Sequence, residues 1–249
     1  GTPRGKVVPN RLLQRYAPAI GPIRKLLAGY RKRLRPRPDA VVARAARAVA
    51  HPRMSPSPMG KLLADVIRGA VDRADVALMN SGGVRGSFKA GPITYNDVYR
   101  VFPFDNYLAV AELTGRQLRQ VMSDYLAREH AGFLAVSGLQ IRIRCGKPLK
   151  LTGATIGGRP LDDEKTYRVA LSDFLLAGGV GFRKVLSKVP AAQKRILGGR
   201  LVRDALVTHL KGLRHPLNDA THTVTPTVTV ENGPCRARTR KRKPRPLCR

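Results

Sequence analysis

Hydrophobic positions along the chain recur with two different periods. Ile23, Leu26, Leu27 and Tyr30 repeat at three- and four-residue spacing, the stripe of an α-helix. That helix should end before Pro36, because proline disfavours helical geometry in the residue preceding it. Asp39 can cap an Ala- and Val-rich stretch running to about Ala50, read here as a second helix. Met59-Gly60-Lys61-Leu62-Leu63 opens another, whose Leu62, Leu63, Val66, Ile67 and Ala70 share a face. Asp75-Val76-Ala77-Leu78-Met79 is a short apolar run with the signature of a buried strand, and it leads straight into Asn80-Ser81-Gly82-Gly83-Val84-Arg85. Tyr107 to Leu113 alternates as a strand, and Thr114 caps a helix carrying Leu118, Val121, Met122 and Tyr125. Further strands are expected at Phe133–Val136, Leu139–Arg144, Leu149–Ile156 and Tyr167–Leu171, the last followed by a second glycine-rich turn through Phe182. A helix over Leu201–Leu213 and a closing Thr/Val strand from Thr221 to Val230 complete the pattern. The class is α+β, a mixed sheet with packed helices, and no internal repeat is detectable.

Composition narrows this little, but charge changes the picture. With 249 residues, 43% hydrophobic and 25% charged, the chain is long enough for one large domain with extensions, and collagen-like, wholly disordered and coiled-coil readings drop out. Lys plus Arg number 47 against 16 Asp plus Glu, a formal net charge of +31, so anionic partners are favoured. The tail Arg236–Arg249 has eight basic residues among fourteen and two prolines, too self-repelling to join a core. It reads either as a solvated charge run or as an arm for electrostatic attachment to a polyanion. Arg31-Lys32-Arg33-Leu34-Arg35-Pro36-Arg37 is a second basic stretch. The expected organisation is an extension at 1–21, a domain at 22–232 and a disordered basic tail at 233–249. No apolar run approaches the roughly 20 residues that cross a bilayer, so no transmembrane segment is expected. The N-terminus Gly1-Thr2-Pro3-Arg4-Gly5 carries no signal core and reads as processed or excised.

Several chemistries lack their residues. Cys145, Cys235 and Cys248 are too few for a disulfide scaffold, and none forms a C-x-x-C pair. Cys235 and Cys248 either close a small loop in the tail or stay free, and Cys145 is expected unpaired in both cases. His51, His130, His209, His215 and His222 lie in no H-x-H, H-E-x-x-H or D-x-H arrangement, which leaves metal hydrolysis poorly supported within this chain. Neither G-x-S-x-G nor a P-loop is present, and Ser137 in Val136-Ser137-Gly138 has no identifiable base and reads as a turn residue.

What remains is a recognition site. Val101-Phe102-Pro103-Phe104-Asp105-Asn106 precedes a strand, and Asp173-Phe174 leads into Gly178-Gly179. An isolated Phe belongs most often to the core. Rings presented on loops, however, can hold a flat base by stacking, worth roughly 1–3 kcal/mol per base.

N-S-G-G-V-R (Asn80 to Arg85), G-x-I-T-Y-N-D-V (Gly91 to Val98), F-P-F-D-N (Phe102 to Asn106), F-L-A-V-S-G (Phe133 to Gly138) and D-F-L-L-A-G-G-V-G-F (Asp173 to Phe182) occur in one order. In order and spacing the set resembles the C-terminal domain of the 5′-nucleotidases, the group containing UDP-sugar hydrolase and ecto-5′-nucleotidase, from about Pro22 to Val230. The resemblance implies a domain that binds the nucleoside part of a substrate and sandwiches its base between two Phe, here Phe104 and Phe174. It implies nucleotide contacts from Asn80 and Arg85 with the Gly82-Gly83 turn between them, from Asn106 near the base, from Gly179, and from Arg53 before Met59-Gly60.

The same resemblance assigns no catalytic residue and no metal ligand to this chain. Divalent metal ions and catalysis are expected in an N-terminal metallophosphoesterase domain with no counterpart here, so the chain alone is expected to be inactive. Family members are usually exported, which implies an extracytoplasmic location. Where the family usually has Asp after Gly178-Gly179, this chain has Val180, which cannot accept a hydrogen bond from a ribose hydroxyl. The leading expectation is therefore the nucleotide- or nucleoside-binding half of a phosphoric monoester hydrolase. The alternative is a non-catalytic polyanion-binding or surface-attached protein that reuses the fold.

Overall fold

The computed structural model describes residues 21–33, 37–52, 55–128, 132–218 and 227–231. Two units divide after Ala40. Within the first, α1 (Gly21–Arg33) forms over the expected helical stripe and ends before Pro36. Its Leu26 and Tyr30 are exposed.

The second unit is built on a five-stranded sheet. Its members, in chain order, are β2 (Val76–Met79), β4 (Tyr107–Thr114), β5 (Ala135–Ser137), β9 (Thr166–Ser172) and β10 (Lys194–Leu201), arranged β10-β4-β9-β2-β5. Only β2 and β9 run parallel; the other neighbours are antiparallel. Alternation along these strands sends residues to two cores. Ala77, Met79, Leu108, Val110 and Ala170 face α2 (Pro58–Ala70) and α7 (Val202–Lys211). Val76, Leu78, Ala111, Leu113, Val169 and Leu171 face α4 (Gly115–Leu126) and a second sheet. A sheet covered on both faces needs continuous apolar strands, which is why β2 reads as V-A-L-M rather than as an alternation.

The second sheet, in the order β11-β6-β7-β8, joins β6 (Gln140–Arg144), β7 (Lys150–Ile156), β8 (Arg159–Pro160) and β11 (Val228–Val230). Here the alternation is clean: Ile141 and Ile143 are buried while Gln140, Arg142 and Arg144 are exposed. Helix starts carry the chemistry their sequence announces. Thr114 and Gln117 form a capping box on α4, and Ser57 caps α2 by accepting from the Gly60 N–H at 2.9 Å.

Three expectations are corrected. The stretch after Asp39 is not a helix but β1 (Val41–Ala45), paired antiparallel with β3 (Gly91–Thr94). Alanine-rich composition favours a helix locally, but Val42 and Ala45 are buried in a strand whose partner lies some fifty residues away, and that pairing prevails. Ser137 is not a turn residue. It lies within β5, 3% exposed, and its Oγ donates to the Asp65 carboxylate at 2.7 Å. Cys145 is not unpaired but disulfide-bonded. The remaining expected elements appear with ends moved by a residue or two. Periodicity did not reveal β3, α3 (Tyr95–Val101), β8, β10 or the short helices at 173–176 and 183–186, and the closing strand is described only from residue 227. The expected extension at 1–21, apart from Gly21, and the tail at 233–249 lie outside the described residues, as does Arg53.

Candidate functional site

Strand directions decide where the candidate residues meet. Since β2 and β9 are parallel, their C-terminal ends share one edge of the sheet, and antiparallel β4 begins at that same edge, Leu108 standing opposite Ser172. Asn80 leaves β2 there, Phe104 and Asn106 enter β4 there, and Phe174 leaves β9 there as part of the short helix α5 (Asp173–Leu176). The C-terminal edge of parallel strands is where open α/β sheets present loops to ligands.

A hydrogen bond joins the two Phe-bearing turns. Asn106 Nδ2 donates to Asp173 Oδ1 at 2.8 Å, and the same oxygen accepts from the Phe174 N–H at 2.7 Å. One carboxylate oxygen thus holds both the turn that follows Phe104 and the turn that carries Phe174, although the residues lie 67 positions apart. The two rings are set differently. Phe104 is half-buried and meets Phe102 edge to face, with centroids 5.6 Å apart and planes at 77°. Phe174 is 46% exposed, an unusual position for a large apolar side chain. Gly179 lies directly against it, and a Cβ there would come within 2.6 Å of two ring carbons and 2.7 Å of the Phe174 carbonyl oxygen. Glycine is needed at this position for close approach.

The turn after β2 is shaped by a similar constraint. Ser81–Gly83 forms one turn of 3₁₀ helix, with the Gly83 N–H donating to the Asn80 carbonyl at 3.0 Å. A Cβ on Gly83 would meet Asn80 Oδ1 at 3.0 Å and Met79 Cε at 2.6 Å, whereas at Gly82 the nearest atom would be Asn80 Nδ2 at an ordinary 3.6 Å. Asn80 is only 5% exposed, and its side chain makes no capping hydrogen bond to the turn it opens. The Ser81 Oγ is buried without a partner among the described residues. Buried polar atoms are rarely left unpaired, so this hydroxyl has capacity for a further hydrogen bond. Beside it, the exposed Arg85 donates to the Gly82 carbonyl at 3.3 Å and holds its guanidinium 5.7 Å from the Phe104 ring centroid.

Two functional neighbours escaped the sequence reading. Asp173 stood inside a recognised motif, but its tie to Asn106 is a tertiary fact. Arg203, on α7, is 7% exposed and donates to the Phe104 carbonyl at 3.2 Å and to Asp105 Oδ1 at 2.5 Å, with its guanidinium 4.9 Å from the Tyr99 ring. Burial acts to lower the Arg203 pKa, but hydrogen bonds to Asp105 and Tyr95 outweigh it and leave the group above its ordinary value, permanently charged. The available signal was an Arg three residues before Leu206 and seven before Leu210, on a helix face otherwise apolar. Val180 has φ 47° and ψ 40°, a left-handed conformation that β-branched residues rarely adopt.

Taken together, Asn80, Gly82, Gly83, Arg85, Phe104, Asn106, Phe174 and Gly179 lie along one sheet edge, and Arg53 alone of the expected residues falls outside the description. Aromatic faces, amides and a guanidinium suit stacking and hydrogen bonding. Among the described residues no three His, Cys, Asp or Glu side chains gather as metal ligands, and no helix is long and apolar enough to cross a membrane. A cleft of about 500 Å³ opens elsewhere, between α2, α7 and β10, and shares no residue with the Phe-bearing turns.

Most of the second unit matches a known family. The family described as 5′-nucleotidase, C-terminal domain, matches residues 39–188, and the chain belongs to it. It is 34% identical over 115 residues to a 5′-nucleotidase of Vibrio cholerae serotype O1, covering 45% of this chain and 20% of that protein. It is 30% identical over 166 residues to Endonuclease YhcR of Bacillus subtilis, covering 65% of this chain and 13% of that protein. The chain thus spans a fifth or less of these curated relatives. Among solved structures, a 5′-nucleotidase precursor from Thermus thermophilus superposes with a TM-score of 0.71 at 27% identity, covering 85% of this chain and 43% of that one.

Proposed function

We propose that this chain is the nucleotide- or nucleoside-binding half of a 5′-nucleotidase-like phosphoric monoester hydrolase. Phe104 and Phe174 stack the base between them, Asn106 stands near it, and Asn80, Gly82, Gly83 and Gly179 shape the turns that approach the nucleotide. Arg85 serves the phosphate or ribose side, with Arg53 as a further contact. The observation that carries this reading is the Asn106–Asp173 hydrogen bond, which locks the two Phe-bearing turns to each other. The buried Ser81 hydroxyl beside them, without a partner among the described residues, supports it. Hydrolysis itself is assigned to divalent metal ions in a metallophosphoesterase domain, over which this half positions the phosphate, a contribution of proximity.

Calorimetric titration with adenosine tests the clamp without contribution from the ligand's charge. Saturable binding should survive high salt and disappear in Phe174→Ala or Phe104→Ala, because stacking of a neutral ligand is insensitive to screening. Absence of binding at millimolar adenosine would overturn the reading, and a signal that vanished with salt would mark attachment through the basic ends instead. Incubated with AMP and divalent metal, the purified chain should release no phosphate; robust release would overturn the division of labour.

An extracytoplasmic location is part of the proposal, supported by the Cys145 disulfide, since such bonds persist in oxidising compartments. Denatured, unreduced protein from its native host should titrate fewer than three thiols; three would contradict it.

A further inference from the structure

We infer that the site accepts the end of a single-stranded nucleic acid, with the terminal base in the aromatic turns and the following phosphates on Arg128 and Arg183. This inference rests on the clamp reading and names its ligand. The turn that carries Gly179 against the Phe174 ring is bracketed by these two arginines, of which Arg183 opens the short helix α6 (Arg183–Leu186). A Cβ on Gly178 would fall 2.7 Å from Arg183 Cα, so that backbone packs onto the turn, and a Cβ on Gly181 would fall 2.9 Å from Arg128 Cδ. Both arginines are exposed, and the carboxylate beside this turn, Asp124, pairs with Lys184 at 3.9 Å. Arg85 is likewise exposed beside Phe104. The two carboxylates of the joined turns are already engaged, Asp173 by Asn106 and the Phe174 N–H and Asp105 by Arg203.

A mononucleotide brings a single phosphate group, for which Arg85 suffices. Arg128 and Arg183 are two further exposed cations at the other turn, and a nucleic-acid backbone supplies a phosphate for each. Exposed aromatic rings interleaved with guanidinium groups are the pattern that binds unpaired strands, where each base offers a π-face and each phosphate a charge. A duplex interior is disfavoured, because drawing a base out of the stack costs a few kcal/mol that an open end does not require. The basic ends of the chain, which contain no acidic residue, would attract such a strand without reading its bases.

The test compares, on the full chain, adenosine, AMP, a deoxyadenosine hexamer and an abasic hexamer with the same phosphates. The hexamer should bind at least tenfold more tightly than AMP and more tightly than the abasic strand, and Phe174→Ala should erase the second difference. Replacing Arg128 and Arg183 together with Ala should cost the hexamer about tenfold and leave adenosine unchanged. It should also shallow the slope of log affinity against log salt by about 1.4, at ~0.7 per phosphate contact. Replacing Lys150 and Arg159, exposed on the second sheet, should change neither quantity. A hexamer no tighter than AMP, an abasic strand as tight as the hexamer, or equal losses in the two double variants would overturn the inference. Adenosine binding without preference for the hexamer defeats this inference alone, whereas loss of adenosine binding defeats the clamp beneath it.

Discussion

Arg203→Met removes the strut behind Phe104 while keeping most of its buried volume. Four interactions are lost, among them a hydrogen bond with Tyr95 worth about 1 kcal/mol net. The bond to the Phe104 carbonyl at 3.2 Å is worth about 1 kcal/mol net. The pair with Asp105 contributes less than about 1 kcal/mol, because that carboxylate is 78% exposed and returns to water when freed. Contact with the Tyr99 face at 4.9 Å adds roughly 0.5–1 kcal/mol. Against these stands a gain, since Arg203 Nε is buried without a partner among the described residues and a thioether carries no such donor. The balance is a destabilisation of about 2 kcal/mol, or roughly 4–8 °C in Tm at ~2–4 °C per kcal/mol for a domain of this size. Because the lost bond held the backbone of Phe104 itself, adenosine affinity should fall several-fold together with stability. Arg203→Lys should recover only part of both, since one ammonium cannot span the carbonyl and the carboxylate as the guanidinium fork does. Differential scanning calorimetry and adenosine titration on the same preparations read the two effects. An unchanged Tm with an unchanged Kd would refute the assignment of Arg203 as the support of this turn.

Three further outcomes are expected. Gly179→Ala places a methyl group 2.6 Å from the Phe174 ring and 2.7 Å from its carbonyl, and although the ring can swing away the carbonyl cannot; a cost of about 1–3 kcal/mol by thermal melt and a marked loss of adenosine binding should follow. Val180→Asp restores an acceptor toward ribose at a backbone conformation that suits Asp better than Val, so adenosine should bind about tenfold more tightly while 2′,3′-dideoxyadenosine gains nothing. Ser137→Ala removes the buried donor to Asp65 and leaves that carboxylate to the Lys61 ammonium at 2.6 Å, which should lower stability in urea by about 1–2 kcal/mol without altering adenosine affinity.

Local sequence determined most elements of the second unit and the identity of its candidate contacts. The continuous V-A-L-M of β2, the Thr114–Gln117 cap of α4 and the alternating Ile141 and Ile143 of β6 each announce their structure, because helix and strand periods and capping bonds act within a few residues. The two Phe-bearing turns were legible for the same reason, as aromatic residues beside glycines that one resemblance could order. Tertiary structure decided the rest. Val41–Ala45 became a strand because β3 offered backbone partners that no local propensity encodes. Ser137 became a buried donor because Asp65 arrives from a helix 72 residues earlier, and Arg203 became the strut of Phe104 from 99 residues later. That Asn80, Phe104 and Phe174 stand at one edge follows from a parallel pairing of β2 with β9 and an antiparallel pairing of β4 with β9. Strand order and direction are set by how two apolar faces are buried at once, and that balance belongs to the assembled sheet rather than to any segment of it.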